Sequence, residues 1–577
     1  MPSADTEKPD SLRLRAESAE ACKSHNGKAD NSQTVSMNRL ASLPIDRRRG
    51  TKDKKSNNWI VIVAVTISLT LAVIYLAAVV LALPGGVEEI DDVKAIASIF
   101  RVDFPPSYPV VTRRDPSVPK LSRDALDMCG RALWHTLETT TIVLPQGETF
   151  IHTGDIDDLW LRDSAAQIHP VLVPWFNGGA LVSTDERLER IVSGLIKRTS
   201  LYIRHDPYAN AFRIDDSYVF SEEQKRMGRH DLISTWNFEL DSACYFFRML
   251  FFFYQAVPDS PVLREDRVRE AVEIMVDLWI SEQDHERDAF PDGPLFDCQN
   301  CGRPYRYPSL PREGKGSPTA RTGMVWTGFR PSDDESEYGY LVPANMFAVV
   351  ALRYIVELAP ILWKYKGVAA LAMKAEKLAL EIDEGIKKHG IVAHPVYGPI
   401  YAYEVDGLGG NLLMDDANVP SLMSIPYLGY DYDPEIYANT RAFILSDENP
   451  TYQKGKHRMT GEIEGYGSPH MSAAVKRNIW PMSLAVQGLT TQDTNEKVRL
   501  IEKLVKASAG TGWMHESFDA NNPQKFTRSW FCWADSLYAE LVMSVTDECP
   551  NQMHDKYRVM SWRDPEKVKG GVYSSDT

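Results

Sequence analysis

Residues 184–196, Thr-Asp-Glu-Arg-Leu-Glu-Arg-Ile-Val-Ser-Gly-Leu-Ile, set the reading of the whole chain. Thr184 followed by Asp185, Glu186 and Arg187 has the character of a helix start: a capping residue, then acids that favour the positive end of the helix dipole. Leu188, Ile191, Val192, Leu195 and Ile196 then recur at three- and four-residue spacing, which puts them on one face. Similar faces occur at Val268/Val272/Met275/Trp279, at Leu371/Leu378/Ile382/Ile386 and at Val498/Ile501/Leu504/Val505, the last stopped by Gly510. From about Ser122 onward this helical pattern dominates, and few stretches alternate with period two. The fold class expected is therefore all-α.

Between the helical stretches lie long loops, 153–164, 326–345, 401–421, 461–483 and 511–519, crowded with Asp, Glu, Arg, Trp, Tyr, Gly and Pro. Loops longer than about 12–15 residues in a compact domain are uncommon and usually functional. A helical scaffold with polar, aromatic loops gathered at one end describes an α/α toroid with its site at the loop end.

Composition sets the outer limits. The 577 residues are 44% hydrophobic, 10% aromatic and 25% charged, proportions that exclude a disordered, collagen-like or low-complexity protein. Length alone suggests about four domains, a prior that large toroids break. The net charge of −15 argues against nucleic acid as a partner. Seven cysteines are too few for a disulfide-stapled scaffold, and no two paired C-x-x-C spacings indicate a zinc ribbon.

One segment departs from the soluble pattern. Trp59 to Leu83 carries no charge over 25 residues, enough for a helix to cross roughly 30 Å of hydrocarbon. It lies too far from the start, and runs too long, for a cleaved signal peptide. Arg47, Arg48, Arg49, Lys52, Lys54 and Lys55 precede it; Glu88, Glu89, Asp91 and Asp92 follow. The positive-inside rule then gives a single-pass type II signal-anchor. The expected organisation is a disordered cytoplasmic tail (1–58), a transmembrane helix (59–83), a Pro-marked lumenal linker (84–120) and a helical toroid domain (121–577). Six cysteines (Cys129, Cys244, Cys298, Cys301, Cys532, Cys549) would face an oxidising lumen. Cys298 and Cys301 could close a small loop, but the pairing is not readable from sequence. No N-x-S/T sequon occurs. Such an anchor on an enzyme-sized domain is a common Golgi layout, with the cell surface the other candidate.

The first loop, Thr153-Gly-Asp-Ile-Asp-Asp-Leu-Trp-Leu-Arg-Asp-Ser164, packs Asp155, Asp157, Asp158, Arg162 and Asp163 around Trp160. Sugar sites need this mixture, because charged groups take paired hydroxyls while an aromatic face covers the ring. The plainer reading is a helix N-terminus with dipole-complementing acids and an internal Arg–Asp pair. Asp155-Ile-Asp157 also fits the D-x-D metal pair of nucleotide-sugar transferases, but the alternating strands and helices of a nucleotide-binding sheet are missing.

Two carboxylates sit among apolar neighbours: Asp241 in Trp236-Asn-Phe-Glu-Leu-Asp-Ser-Ala-Cys-Tyr245, and Glu516 in Gly512-Trp-Met-His-Glu-Ser-Phe518. Apolar surroundings disfavour the charged form, so such a carboxyl can remain a general acid near neutral pH. Glycoside hydrolysis needs one such acid and a second carboxylate across the bond. Most Asp and Glu side chains instead cap helices or form salt bridges. Trp326, Arg330, Asp333, Asp334, the run Asp415-Asp-Ala-Asn418-Val-Pro420, His470 and Trp480-Pro-Met482 are compatible with a sugar pocket or, for the Met and aromatic members, with core packing. No G-x-S-x-G, phosphate loop or H-E-x-x-H occurs.

Taken together, the motifs resemble those of glycoside hydrolase family 125. The resemblance rests on Gly154-Asp-Ile-x-x-x-Trp-Leu-Arg-Asp-Ser164, Gly328-Phe-Arg-Pro-Ser-Asp-Asp334, Met414-Asp-Asp-Ala-Asn-Val-Pro-Ser421, Ser468-Pro-His470 with Ile479-Trp-Pro-Met482, and Met514-His-Glu-Ser-Phe518, in the family's order across roughly 150–540. It implies an (α/α)6 barrel and an exo-acting α-1,6-mannosidase, inverting and without a metal or cofactor, acting on a mannose-containing glycan. It also implies Asp241 as general acid and Glu516 as general base. Asp155, Trp160, Arg162, Asp163, Arg330, Asp334, Asn418, His470 and His515 are the matching substrate-site candidates. An inverting pair should stand roughly 6.5–9.5 Å apart to admit a water. The membrane anchor and the segment around Cys298–Cys301 have no counterpart in the bacterial members. Two rivals remain: a toroidal glycosidase of other specificity, separated by mannoside against glucoside turnover, and a non-catalytic glycan-binding protein of the secretory membrane, for which both carboxylates would be dispensable.

Overall fold

The computed structural model describes residues 119–550, except 176–178, 227–228, 287–309, 313–314 and 471–476. The expected tail and anchor, nearly all of the expected linker, and the Cys298–Cys301 pair lie outside the described residues.

Eleven helices of nine residues or more organise the described chain: α1 (Arg123–Thr139), α2 (Leu161–Leu172), α3 (Glu186–His205), α4 (Leu240–Ala256), α5 (Asp266–Glu282), α6 (Val342–Leu362), α7 (Val368–His389), α8 (Pro434–Ile444), α9 (Pro481–Leu489), α10 (Thr494–Ala507) and α11 (Cys532–Met543). Burial separates them into two kinds. Every residue of α2 and of α11 is buried, and α4, α6 and α9 are buried nearly all round. By contrast α3, α5, α7 and α10 bury one face only. A helix apolar on all sides belongs inside a packed structure. Accordingly α11 packs on α2, α2 on α4, α4 on α6 and α9 on α11, with the single turn Ile425–Leu428 against α6 in the sixth inner place. The remaining six helices lie outside this ring, α1 on α11, α7 on α6 and α10 on α9. Inner and outer elements alternate along the chain, which makes six helical hairpins in a toroid. The sequence-derived faces are the buried ones: Leu188, Ile191, Val192, Leu195 and Ile196 all point inward, and the cap of α3 is Asp185, one residue after Thr184. Among the described helices α6 is long and apolar enough to cross a membrane, but it is a core helix of this ring.

All-α describes the scaffold and needs one correction. Six small antiparallel sheets are present among the described residues. Three of them, each of three strands, sit immediately before inner helices: Leu159–Trp160 with Ala211–Phe212 and Ile233–Thr235, Tyr340–Leu341 with Glu404–Val405 and Asn411–Leu412, and Asn478–Ile479 with Ser517–Asp519 and Asn522–Thr527. The long loops of the sequence are therefore partly pinned as strands, at the end of the ring where inner helices begin.

That end has a distinctive polarity. The outer helices α1, α3, α8 and α10 carry Ser or Asp side-chain caps. None of the inner α2, α4, α6, α9 and α11 has a side-chain cap. Their positive dipole ends converge on one region, and Asp163, Asp241 and Asp535 stand in the first turns of α2, α4 and α11.

A disulfide joins Cys129 on α1 to Cys549 beyond α11, with a sequence separation of 420. It ties the first helix to the segment after the last, while Cys244 and Cys532 are buried and free. Removing a cross-link of this span costs about 2–5 kcal/mol through the unfolded state. Cys549→Ser is expected to lower the unfolding free energy by that amount in non-reducing buffer, read from urea melts, while leaving turnover of the folded protein unchanged. An unchanged melt would show that the bridge does not constrain the ring.

Candidate active site

Arg162 is the centre of the loop end. Held in the first turn of α2 and buried, its guanidinium donates to Glu239 and lies 3.3 Å from Asp163, 3.7 Å from Asp241 and 3.5 Å from Asp333. Trp533 of α11 flanks it 5.5 Å away. One cation thus faces four carboxylates, and they cannot all be charged in so dry a place.

Hydrogen bonds sort them. Glu239 accepts from Arg162, from Asn210 Nδ2 (2.8 Å) and from Ser242 Oγ (3.0 Å). Asp333 accepts from Trp160 Nε1 (3.1 Å) and Asn210 Nδ2 (3.4 Å). Asp241 is fully buried, and neither of its oxygens makes a hydrogen bond among the described residues, the Arg162 guanidinium standing 3.7 Å away. Burial pushes Asp241 up to about 6 against the pull of Arg162, and pushes Asp163 up to about 7. Burial raises Glu239 as well, but three donors converge on it and none on Asp241. The hydrogen bonds thus leave Asp241, together with Asp163, as the members that retain a proton.

Glu516 lies just before the strand Ser517–Asp519 and accepts from Arg528 Nε at 3.0 Å. Arg528, on the returning side of that hairpin, also binds Asp155. Asp163 feels both Arg162 and Arg528, which joins the two halves of the cluster. Arg528 and Asp333 both have left-handed backbones, φ 52° and 65°, a conformation costing about 1–3 kcal/mol for residues other than glycine. Gly154, at φ 58°, makes the same turn without that cost.

The other expected residues form a rim. Arg330 donates to Glu404, which also takes the backbone N–H groups of Glu337 and Tyr338. His470 Nδ1 lies 3.2 Å from Asp334, whose hydrogen bond lifts the imidazole to about 9. Asn418 donates to Asp416, which also accepts from Ser468. Asp415 accepts the Leu422 and Met423 N–H groups ahead of the turn Ile425–Leu428. His515 is not gathered with these: its ring nitrogens face the carbonyls of Arg528 and Ser508 and its plane stacks on Phe526 at 3.6 Å. Trp326 is core, stacked on His285. Glu239, Asn210 and Arg528 were not singled out in the sequence; Glu239 carried a signal, lying two residues before Asp241 in the same segment.

Asp155 and Asp157 do not converge as a metal pair, since Asp155 binds Arg528 while the side chain of Asp157 points into solvent. Among the described residues, His205, His230 and Asp231 could hold an ion, but they are exposed and separate from the buried acids.

A helical toroid with a desolvated acid and a second carboxylate among polar and aromatic side chains has the architecture of a glycosidase. Residues 122–543 match the family of metal-independent α-mannosidases, and the chain belongs to glycoside hydrolase family 125. It is 36% identical over 433 residues to the meiotically up-regulated gene 157 protein of Schizosaccharomyces pombe, covering 72% of this chain and 80% of that one. It is similar to the solved Streptococcus pneumoniae metal-independent α-mannosidase in a non-productive complex with α-1,6-mannobiose, at 34% identity and TM-score 0.65, over 79% of this chain and 96% of that chain. The chain is thus a glycoside hydrolase of an α-mannosidase family.

The Asp241 proton has a thermodynamic consequence. Its folded pKa of about 6 exceeds the unfolded value of roughly 3.9. Stability from this group is complete below that unfolded value and is lost as pH rises through about 6. Between about pH 4 and pH 7 the wild type should lose on the order of 2 kcal/mol relative to Asp241→Asn, read from paired urea melts. A constant difference would mean that Asp241 is not the protonated member.

Proposed function

We propose that this protein is an exo-acting, inverting glycoside hydrolase that removes terminal α-1,6-linked mannose from glycans. Asp241 is the general acid and Glu516 the general base. The observation that carries this reading is the contrast between the two carboxyls: Asp241 is buried without a donor on either oxygen, while Glu516 is held by Arg528 Nε at 3.0 Å. A desolvated, uncommitted carboxyl keeps its proton for a leaving group. A carboxylate fixed by a guanidinium is placed to accept a proton from water.

In the reaction, Asp241 protonates the glycosidic oxygen as its bond to the anomeric carbon breaks. Water attacks that carbon from the opposite face and gives its proton to Glu516. The products are β-mannose and the shortened glycan, and proton exchange with solvent resets both carboxyls. Asp155, Trp160, Arg162, Asp163, Arg330, Asp334, Asn418 and His470 surround the terminal sugar. His515 acts through the backbone it holds. No metal or cofactor takes part. The α-1,6 linkage is supported by the disaccharide bound to the Streptococcus pneumoniae relative. The basic flank before Trp59 and the acidic flank after Leu83 support a type II anchor that places the domain on the lumenal side of a secretory-pathway membrane, the Golgi by its layout.

The test is proton NMR of α-1,6-mannobiose with the full-length chain in detergent, followed from the first minutes. β-Mannose appearing ahead of its mutarotation is expected. α-Mannose appearing first would contradict inversion and the Glu516 role, and no mannose from folded protein would overturn the assigned specificity.

A further inference from the structure

The segment that carries Glu516 is fastened from behind by residues the reaction does not touch. His135, near the C-terminal end of the outer helix α1, is buried and reaches through to the inner ring. Its Nδ1 lies 2.6 Å from Asp535 Oδ2, in the first turn of α11. The other oxygen, Asp535 Oδ1, accepts the Met514 N–H at 2.8 Å. The Met514 carbonyl accepts the Phe531 N–H, also at 2.8 Å. The His135 ring stacks on Trp513 at 3.9 Å with 22° between planes, and Trp530 leans on it at 4.8 Å. Residues 513 and 514 are thus clamped on ring, N–H and carbonyl, immediately before the His515–Glu516 pair.

We infer that His135 and Asp535 are positioning residues for the general base: a buried imidazole–carboxylate pair that fixes Trp513 and Met514 and thereby aims Glu516. This rests on the Glu516 role proposed above. Cys532 does not turn the group into a nucleophilic triad, because its sulfur approaches the same nitrogen, Nδ1, at 3.8 Å that Asp535 already occupies. A simple stabilising role accounts poorly for the arrangement, since a buried ion pair brings little net stability over an apolar replacement of the same shape. What the pair does supply is direction, and a displacement of about 1 Å in a catalytic group can cost about a hundredfold in rate. Burial opposes a charge on His135, but Cys532 and Asp535 outweigh it and lift the imidazole to about 10. As a raised histidine it stays protonated across the neutral range, so the clamp holds there, while its stabilising contribution, complete below the unfolded value, declines above it and is gone beyond about 10.

The experiment uses the full-length chain with α-mannosyl fluoride, with and without azide. Azide attacks the anomeric carbon as fluoride leaves and needs no base, so it bypasses a lost or misaimed Glu516. His135→Gln is expected to lower kcat about 10- to 100-fold with little change in KM, and azide should restore turnover with release of β-mannosyl azide, as it should for Glu516→Ala. Trp513→Leu, altering a half-buried side chain without emptying the core, should show a smaller loss with the same rescue. If Glu516→Ala is rescued while the folded His135→Gln and Trp513→Leu proteins keep wild-type kcat, or lose it without rescue, the positioning role is wrong and the base assignment stands. If Glu516→Ala itself keeps full activity, the base assignment fails and the inference with it.

Discussion

One guanidinium among four carboxylates is the constraint on which the site depends. Arg162 cannot balance Glu239, Asp163, Asp241 and Asp333 at once, and in a water-poor interior unbalanced charge is removed by protonation. The surrounding donors decide where that proton goes. Asn210 and Ser242 serve Glu239, Trp160 serves Asp333, and Asp241, like Asp163 Oδ2, is left without a hydrogen-bond donor. The acid is thus prepared by what its neighbours take, more than by anything that touches it.

The ring explains why these groups meet. Arg162, Asp163, Asp241 and Asp535 come from first turns of inner helices far apart in sequence, and the toroid brings those N-terminal ends together. Uncapped N-termini favour negative charge nearby, while the hairpins and short strands at that end of the ring hold the side chains in place. The second carboxylate arrives differently, on a strand hairpin whose far side returns Arg528 to it.

Much of this was legible from residue patterns. The faces led by Leu188, Val268, Leu371 and Val498 are the buried faces of outer helices because a one-sided apolar stripe has a simple 3.6-residue signature. For residues 153–164 the plainer reading holds: Arg162 and Asp163 form a pair at a helix N-terminus, and that pair lies in the acid cluster. Most of the strands were not legible, since two or three residues cannot display alternation. Arg528 was missed because its partner Glu516 is reached only across such a hairpin. His135 was missed because, on an outer helix, its meaning depends on Asp535 lying 400 positions away. The Cys129–Cys549 bridge is likewise set by closure of the ring, which spacing alone does not encode.

The central claim is that the crowded cluster keeps a usable proton on Asp241. The most direct test is the pH dependence of kcat/KM for α-1,6-mannobiose, which reports the free enzyme's essential acid. An alkaline limb is predicted at about 6, with activity falling about tenfold per pH unit beyond it. Activity that stays level from roughly pH 6 to pH 8, where an unprotonated Asp241 should be silent, would contradict the account.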